Sequence, residues 1–372
     1  MKKTKILFVI QKFYPSGAES LVKSLITELK NKLDIYLIAL EDNKNVQESN
    51  DYEEFLKNSN VKFLVLKNGR KINKVLEMRK YILLNNIEVV HAHSLFPNML
   101  SRMSTAFLNI NVIVTYHSGS DDWKDIKVRF VEKILDYNTF KRVSVSEIPI
   151  NNYRKRISKN NTVEIIKNGV LTKVEISNKE IEKLKKKINV SKNDFIMTNV
   201  GRISTQKNQE FLIDLVYSLK NDVRVNKNIK MIIIGYRENE EIYTKLVEKV
   251  KKLNLTNNVF LMGTTNNVFN FLSFSDVFVF PSLTEAHPIA LIEAGLSKTP
   301  VIASNIMANT KTFDKNEIDL VPLKEDVWIN SIIAVYSGEY SKCELAYKKV
   351  VENYSIESTS EKYLNLYKEA IN

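Results

Sequence analysis

The sequence predicts an α/β protein built from two doubly wound domains. Short apolar runs alternate with helical stretches from end to end, and the runs fall into two series separated by a polar, lysine-rich segment. At 372 residues the chain is long enough for two cores. Strands separated by helices imply parallel sheets joined by right-handed crossovers.

In chain order the first series is KILFVIQ, DIYLIAL, KFLVLK, IEVVHAH, NVIVTYH, KRVSVSE and TVEIIKN. The second is FIMTNV, IKMIIIG, NVFLMG, DVFVFPS, PVIAS and IDLVPL. Between them, NGVLTKVEISNKEIEKLKKKINVSKND reads as the interdomain linker. The expected division is an N-terminal domain over 1–172 and a C-terminal domain over 173–355. A last helix over 356–372 follows no further strand and is expected to pack back on the N-terminal domain.

Composition narrows the class. A hydrophobic fraction of 44% and a charged fraction of 26% describe an ordinary globular protein. The single cysteine, Cys343, excludes an internal disulfide framework and fits a reducing compartment. The opening MKKTKILFVIQKFYP has too short an apolar stretch for a signal peptide, and no run approaches the roughly 20 apolar residues that span a bilayer. The expectation is a soluble, cytoplasmic protein. Its net charge of +12 is uneven: residues 1–180 hold 30 Lys and Arg against 20 Asp and Glu, residues 181–372 hold 25 against 23. A basic half faces an anionic partner or reflects a lysine-rich proteome; the residues leave both open.

The densest motif is TEAHPIALIEAG, residues 284–295, after the strand-like VFVF and its stop at Pro281. Pro288 suits the first position of a helix, which Gly295 ends. Glu285 then lies in a strand-to-helix loop, at the sheet end where open α/β folds bind ligands. Glu293 lies about 7.5 Å along the helix, so the two carboxylates can touch different parts of one elongated ligand. The helix N-terminus between them suits phosphate or hydroxyl oxygens. A solvated glutamate and a helix surface charge explain the same letters.

Two further loops stand at strand tips. In YPSGAESL, Ser16 and Glu19 have capping-box spacing and Gly17 permits close approach of a ligand. In GRISTQKN, Gly201, Arg202 and Lys207 stand at an exposed helix entrance and suit a diphosphate. His91, His93, His117 and His287 all lie at or near strand ends, which leans toward a site. Zinc spacing, Asp-x-Asp, G-x-G-x-x-G and P-loop motifs are missing, and Asp121-Asp122 reads as a loop pair. Aromatic residues do not interleave with the basic ones as RNA binding would ask, so no nucleic-acid partner is expected.

Taken together, YPSGAE, DYNTFKRVSVSE, KNGV, GRISTQKN, DVFVFPS and TEAHPIALIEAG resemble the retaining GT-B glycosyltransferases of bacterial capsule, exopolysaccharide and lipopolysaccharide synthesis. The resemblance spans nearly the whole chain, and TEAHPIALIEAG is similar to the family's Glu-x7-Glu signature. It implies two Rossmann-like domains facing a cleft, with the donor on the C-terminal one and the acceptor on the basic N-terminal one. By it Glu285 lies beside the donor sugar and Glu293 binds the ribose hydroxyls. The stretch between, Ala286, His287, Pro288 and Ile289, is donor-binding, its free amides holding sugar and phosphate oxygens. Gly201, Arg202 and Lys207 grip the diphosphate, Gly17 approaches it, and His117 reaches the sugar. His117, Arg202, Lys207 and Glu285 are thereby the catalytic set, with no metal and no cofactor.

Four positions depart from the family pattern. Ser16 replaces the first glycine of a usual pair, Ala286-His287 replaces a glycine-led pair, Arg237 stands where a second glycine often follows, and NGV lacks its aspartate. The expected function is transfer of a sugar from a nucleotide-sugar, a UDP-sugar by preference, to a glycan or lipid-linked acceptor of the cell surface. The expected place is the cytoplasm, peripheral on the inner face of the membrane, with an anionic membrane surface as a further partner. The alternatives are a sugar-nucleotide epimerase on a similar fold and a non-catalytic nucleotide-binding partner subunit.

Overall fold

Parallel strands covered on both faces must be apolar along their whole length. Each of the predicted runs becomes a strand in the computed structural model, which describes residues 3–13, 16–41, 47–67, 69–118, 123–158, 162–265 and 267–371. The chain divides into two units, Met1–Val170 with Ile356–Asn372, and Leu171–Ser355.

The N-terminal unit begins β1 (Lys5–Lys12), α1 (Gly17–Leu29), β2 (Asp34–Glu41), α2 (Gln47–Asn58) and β3 (Lys62–Val65). It continues α3 (Lys71–Asn85), β4 (Val89–His93), α4 (Leu95–Ser104), β5 (Asn111–Tyr116) and α5 (Ile126–Leu135). Then come β6 (Lys141–Ser144), α6 (Glu147–Arg156) and β7 (Glu164–Ile165). The strands form one sheet in the order β3-β2-β1-β4-β5-β6-β7. Alternate residues of β1 feed two cores. Ile6, Phe8 and Ile10 meet α1 and α2, while Leu7 and Val9 meet the side that holds Val75, Met78 and Leu100 of α3 and α4.

The C-terminal unit runs α7 (Asn178–Lys187), β8 (Asp194–Val200), α8 (Gln209–Lys220), β9 (Asn228–Ile234), α9 (Glu240–Lys252) and β10 (Val259–Gly263). It continues α10 (Phe269–Leu272), β11 (Val277–Phe280), α11 (Ile289–Leu296), β12 (Val301–Ser304) and α12 (Met307–Thr312). After β13 (Asp319–Val321) come α13 (Glu325–Tyr336) and α14 (Cys343–Asn353). Its sheet order, β10-β9-β8-β11-β12-β13, repeats the winding of the first. In each, the chain reverses its direction of growth beside the first strand. That switch point, β1/β4 or β8/β11, is where loops part and a ligand can enter.

The final helix, α15 (Ile356–Glu369), belongs to the N-terminal unit. Ile356, Tyr363, Leu366 and Tyr367 join the core of α1, and Asn111 donates from Nδ2 to the Ala370 carbonyl at 2.7 Å.

The expected linker is a correction. Most of it is folded into the C-terminal unit: Ser177 caps α7, and Ile181, Leu184 and Ile188 turn inward, the last two packing with Ile196 and Phe271. Spacings of three and four mark one buried stripe, which the surrounding lysines hide in a reading by composition. The division between units falls at Val170/Leu171.

Candidate functional site

The loop after β8 and the loop after β11 stand side by side because their strands are neighbours, and side chains tie them together. Gln206 donates from Nε2 to the Thr284 carbonyl at 2.6 Å and accepts from the Leu283 amide at 2.9 Å through its own carbonyl. Asn208, in the left-handed region, reaches the Pro281 carbonyl at 3.3 Å. Gln209 holds the Arg202 carbonyl at 2.7 Å. The backbone between Gly201 and Asn208 is thereby fixed against the segment that carries Glu285.

Both cations of the first loop are held by carboxylates. The Lys207 ammonium donates to Glu285 Oε1 at 2.5 Å and lies 4.8 Å from the Phe280 ring centroid. Its stem runs along Gly201, where a Cβ would come within 3.1 Å of it. Arg202 pairs with Glu238 and reaches Gln206 Oε1 at 3.2 Å. The sequence reading places Lys207 on an exposed helix entrance. Instead its side chain is 13% exposed, because the pairing with Glu285, itself 8% exposed, draws it inward. Gly235 is part of the same construction: a Cβ there would stand 1.9 Å from the Gly201 carbonyl oxygen.

Pro288 is the N-cap of α11 rather than its first helical residue, with φ −84° and ψ 85°. Its carbonyl accepts from Leu291 and Ile292 at 3.1 and 3.2 Å, so the amides of Ile289 and Ala290 precede the first intrahelical bond. Ala286 and His287 lie in the loop before the cap, and the His287 ring sits 5.6 Å from Tyr354. Glu293 is the fifth residue of α11 and is half-buried. Among the described residues its carboxylate has no hydrogen bond or ion pair, and burial pushes its pKa up to about 7. An acid in that condition waits for a donor of hydrogen bonds. Gly295 lets the helix lie close to α14, since a Cβ would meet Phe313 at 2.9 Å and Val350 at 3.2 Å.

Of the four histidines, His287 belongs to the C-terminal unit and the other three to the N-terminal unit. His91 is a core residue: its two ring nitrogens meet the Tyr367 hydroxyl at 2.7 Å and the Thr115 hydroxyl at 2.8 Å. His117, just past β5, has Nε2 at 3.0 Å from His93 Nδ1. The other His93 nitrogen, Nε2, is buried with no partner among the described residues. An orphaned buried donor is rarer than an orphaned acceptor, which assigns the His93 proton to Nδ1, donated to His117. The donor left to a neutral His117 is then Nδ1–H. Burial keeps it neutral, lowering its pKa to about 3. Sequence reasoning set His93 at a strand end with the other three histidines but did not pair it with His117, since a contact across 24 residues has no local signal.

At the first loop Ser16 is the N-cap of α1, with Gly17 next. The expected capping box is altered: Ser16 donates to the Glu19 carboxylate and caps no backbone amide. Burial raises the Glu19 carboxyl, against the lowering effect of that bond. Tyr14, Pro15 and the Asp121-Asp122 pair lie outside the described residues. No group of three His, Cys, Asp or Glu side chains that could hold a metal ion occurs among the described residues.

The family model described as glycosyl transferases group 1 matches residues 180–345, and that described as Glycosyltransferase Family 4 matches residues 15–174. A relative in Escherichia coli, the UDP-Gal:alpha-D-GlcNAc-diphosphoundecaprenol alpha-1,3-galactosyltransferase, is 26% identical over 86% of this chain and 87% of its own. The capsular polysaccharide biosynthesis glycosyltransferase CapH of Staphylococcus aureus is 26% identical over 71% of this chain and 73% of its own. The crystal structure of Anabaena HepE in complex with UDP and glucose superposes with a TM-score of 0.84 at 15% identity, over 98% of this chain and 100% of that one. Two parallel Rossmann-like sheets of this order define the GT-B fold, and the chain is a nucleotide-sugar glycosyltransferase. It belongs to the glycosyl transferases of group 1, with an N-terminal half of the family 4 type.

Proposed function

We propose that the protein moves a sugar from a UDP-sugar to a lipid-linked or glycan acceptor in cell-surface polysaccharide assembly, with retention of anomeric configuration and without a metal. The observation that carries this reading is Glu293, a half-buried carboxyl with no counter-charge among the described residues, one loop away from the Lys207–Glu285 pair. Ribose hydroxyls would supply the hydrogen bonds it lacks. A lysine bound to one carboxylate keeps two further N–H donors, so Lys207 can serve a phosphate while Glu285 holds it. Lys207, Arg202 and the first amides of α11 would stabilise the charge that grows on the leaving diphosphate. The C1–O bond to phosphate breaks, a C1–O bond to the acceptor hydroxyl forms, and the acceptor's proton passes to the departing phosphate oxygen. No protein nucleophile is needed. His117 contributes a neutral N–H donor to the sugar.

The relatives support the donor and acceptor classes, since one is named for UDP-Gal and a diphosphoundecaprenol acceptor. The reading includes a place in the cytoplasm at the inner face of the membrane, with the basic N-terminal half toward anionic headgroups.

Calorimetric titration in excess EDTA tests the site. UDP and a UDP-sugar are expected to bind there unchanged. Glu293→Gln should weaken both ligands together, because both contain the ribose. Glu285→Gln should leave UDP affinity nearly intact and depress transfer instead. Equal binding defects in the two variants refute the division of roles, and metal-reversible loss of transfer refutes the metal-free account.

A further inference from the structure

Helices α3 and α4 cover one face of the N-terminal sheet, α5 packs on α4, and all three turn apolar side chains outward. On α5, Ile126, Phe130 and Ile134 recur at every fourth position, and the first two are 71% and 64% exposed. The one carboxylate of α5, Glu132, points the other way, into a fully buried pair with Arg102 of α4 at 2.5 Å. The usual amphipathic order is thus inverted, with charge inside and aromatic and branched residues outside. On α3, Ile72, Leu76 and Leu84 are exposed in the same manner, and Phe107 just beyond α4 is 95% exposed. The helices form one surface: Arg79 of α3 donates to the Ser104 and Ala106 carbonyls at 3.2 and 2.8 Å, and Lys71 lies 5.2 Å from the Phe96 ring. In the C-terminal unit, by contrast, Tyr217, Val223 and Met307 are exposed on separate elements, as single apolar residues commonly are.

Charge identifies the occupant. Apart from the buried Arg102–Glu132 pair, α3, α4 and α5 carry seven lysines and arginines against one carboxylate, Glu77. A second copy of the chain would bring like charge against like in a twofold contact. A layer of anionic headgroups over hydrocarbon matches both components, taking the apolar rows inward while the long cations snorkel to phosphate. No helix among the described residues is long and apolar enough to cross a membrane, so the contact is with its surface. We infer that the α3–α4–α5 face inserts Phe107, Phe130, Ile134 and their neighbours into the headgroup layer of an anionic bilayer. The inference rests on the membrane partner given above and names the side chains that meet lipid.

The full chain is sedimented with vesicles of phosphatidylcholine alone and of phosphatidylcholine mixed with phosphatidylglycerol. Binding to the mixed vesicles only, weakened but not abolished by salt, is expected. The double substitution Phe130→Ser with Ile134→Ser should lower that affinity about tenfold or more, while UDP titration stays unchanged. Phe130→Trp adds an indole to a protein whose own Trp123 and Trp328 are buried, and its emission should shift to the blue on mixed vesicles. Wild-type binding by the serine variant, equal binding to both vesicles, or no emission shift overturns the proposal. So does a dimer that the serine pair dissolves in a protein that ignores vesicles. A wild type that binds vesicles but not UDP refutes the donor site alone.

Discussion

At the tips of β4 and β5 the ionisable groups are His93 and His117, pressed together at 3.0 Å. At the tips of β8 and β11 they are Arg202, Lys207, Glu285 and Glu293, and three of these four are paired with opposite charge. The two sheets are wound in the same order, so the sets share one position, β4 matching β11, and part at the other, since β5 matches β12 while β8 matches β1. What differs is how each unit handles the cost of removing charge from water. Burial without a counter-ion holds the histidines neutral, with His93 driven well below its ordinary value. Bringing a carboxylate to each cation lets the second unit keep its charges in a half-buried loop. The winding decides where loops part, and the pairing decides whether charge can be kept there.

The comparison is tested most severely at Lys207. Lys207→Ala removes the cation from Glu285 and from any phosphate together, and should lower transfer by about ten- to a hundredfold. The same loss added to Glu285→Gln should cost less than it does alone, because the two side chains act as a pair. Steady-state rates of the two single variants and the double variant measure this. Additive effects, or a wild-type rate for Lys207→Ala, would remove the pair from the reaction.

The N-terminal histidines should separate stability from chemistry. His91→Leu leaves the Tyr367 and Thr115 hydroxyls without their partner and should destabilise the fold by about 2–3 kcal/mol in urea unfolding, with UDP affinity intact. His93→Leu replaces a ring with an unpaired nitrogen and should change stability little. It frees the His117 tautomer, so transfer should fall while UDP affinity holds. Nitrogen chemical shifts of the His117 ring, moving in His93→Leu and not in His91→Leu, would confirm the assignment. Unaltered shifts would sink it.

The strands were legible because a buried parallel strand is a continuous apolar run, and VIASN or MIIIG needs no context to be seen. The helix α7 was not, because Ile181, Leu184 and Ile188 stand among lysines, and composition outvoted their spacing. The loops after β8 and β11 could be placed from letters alone, by Gly201 after one strand and Pro281 after another. The bonds inside them could not. Lys207 and Glu285 are 78 residues apart, and whether a lysine meets a carboxylate across that distance is settled by which strands are neighbours. Ser16 and Glu19 show the opposite failure: the spacing was right, yet burial of Glu19 made the carboxylate the better acceptor for Ser16.

The smallest effect, and the one that best isolates Glu293, is a pH dependence. Its carboxyl in the folded protein lies at about 7, raised by burial from the ordinary 4.5. Between those values the native state binds more protons than the unfolded one, so this group's contribution to stability declines as pH rises from 4.5 to 7 and is constant above. Glu293→Gln should abolish that decline in unfolding experiments. Ligand binding reverses the preference. Ribose hydroxyls donate to the charged form, which lowers the carboxyl's pKa in the complex and releases a proton near pH 6. UDP affinity should therefore rise with pH toward 7, by at most about tenfold per unit, and flatten beyond it. The terminal phosphate of UDP titrates nearby, near pH 6 on the model of a phosphate monoester, but that part must persist in Glu293→Gln. Calorimetry in two buffers of different ionisation enthalpy counts the protons directly. If wild type and Glu293→Gln release the same number, Glu293 does not touch the ribose, and the unpaired acid of α11 owes its raised pKa to burial alone.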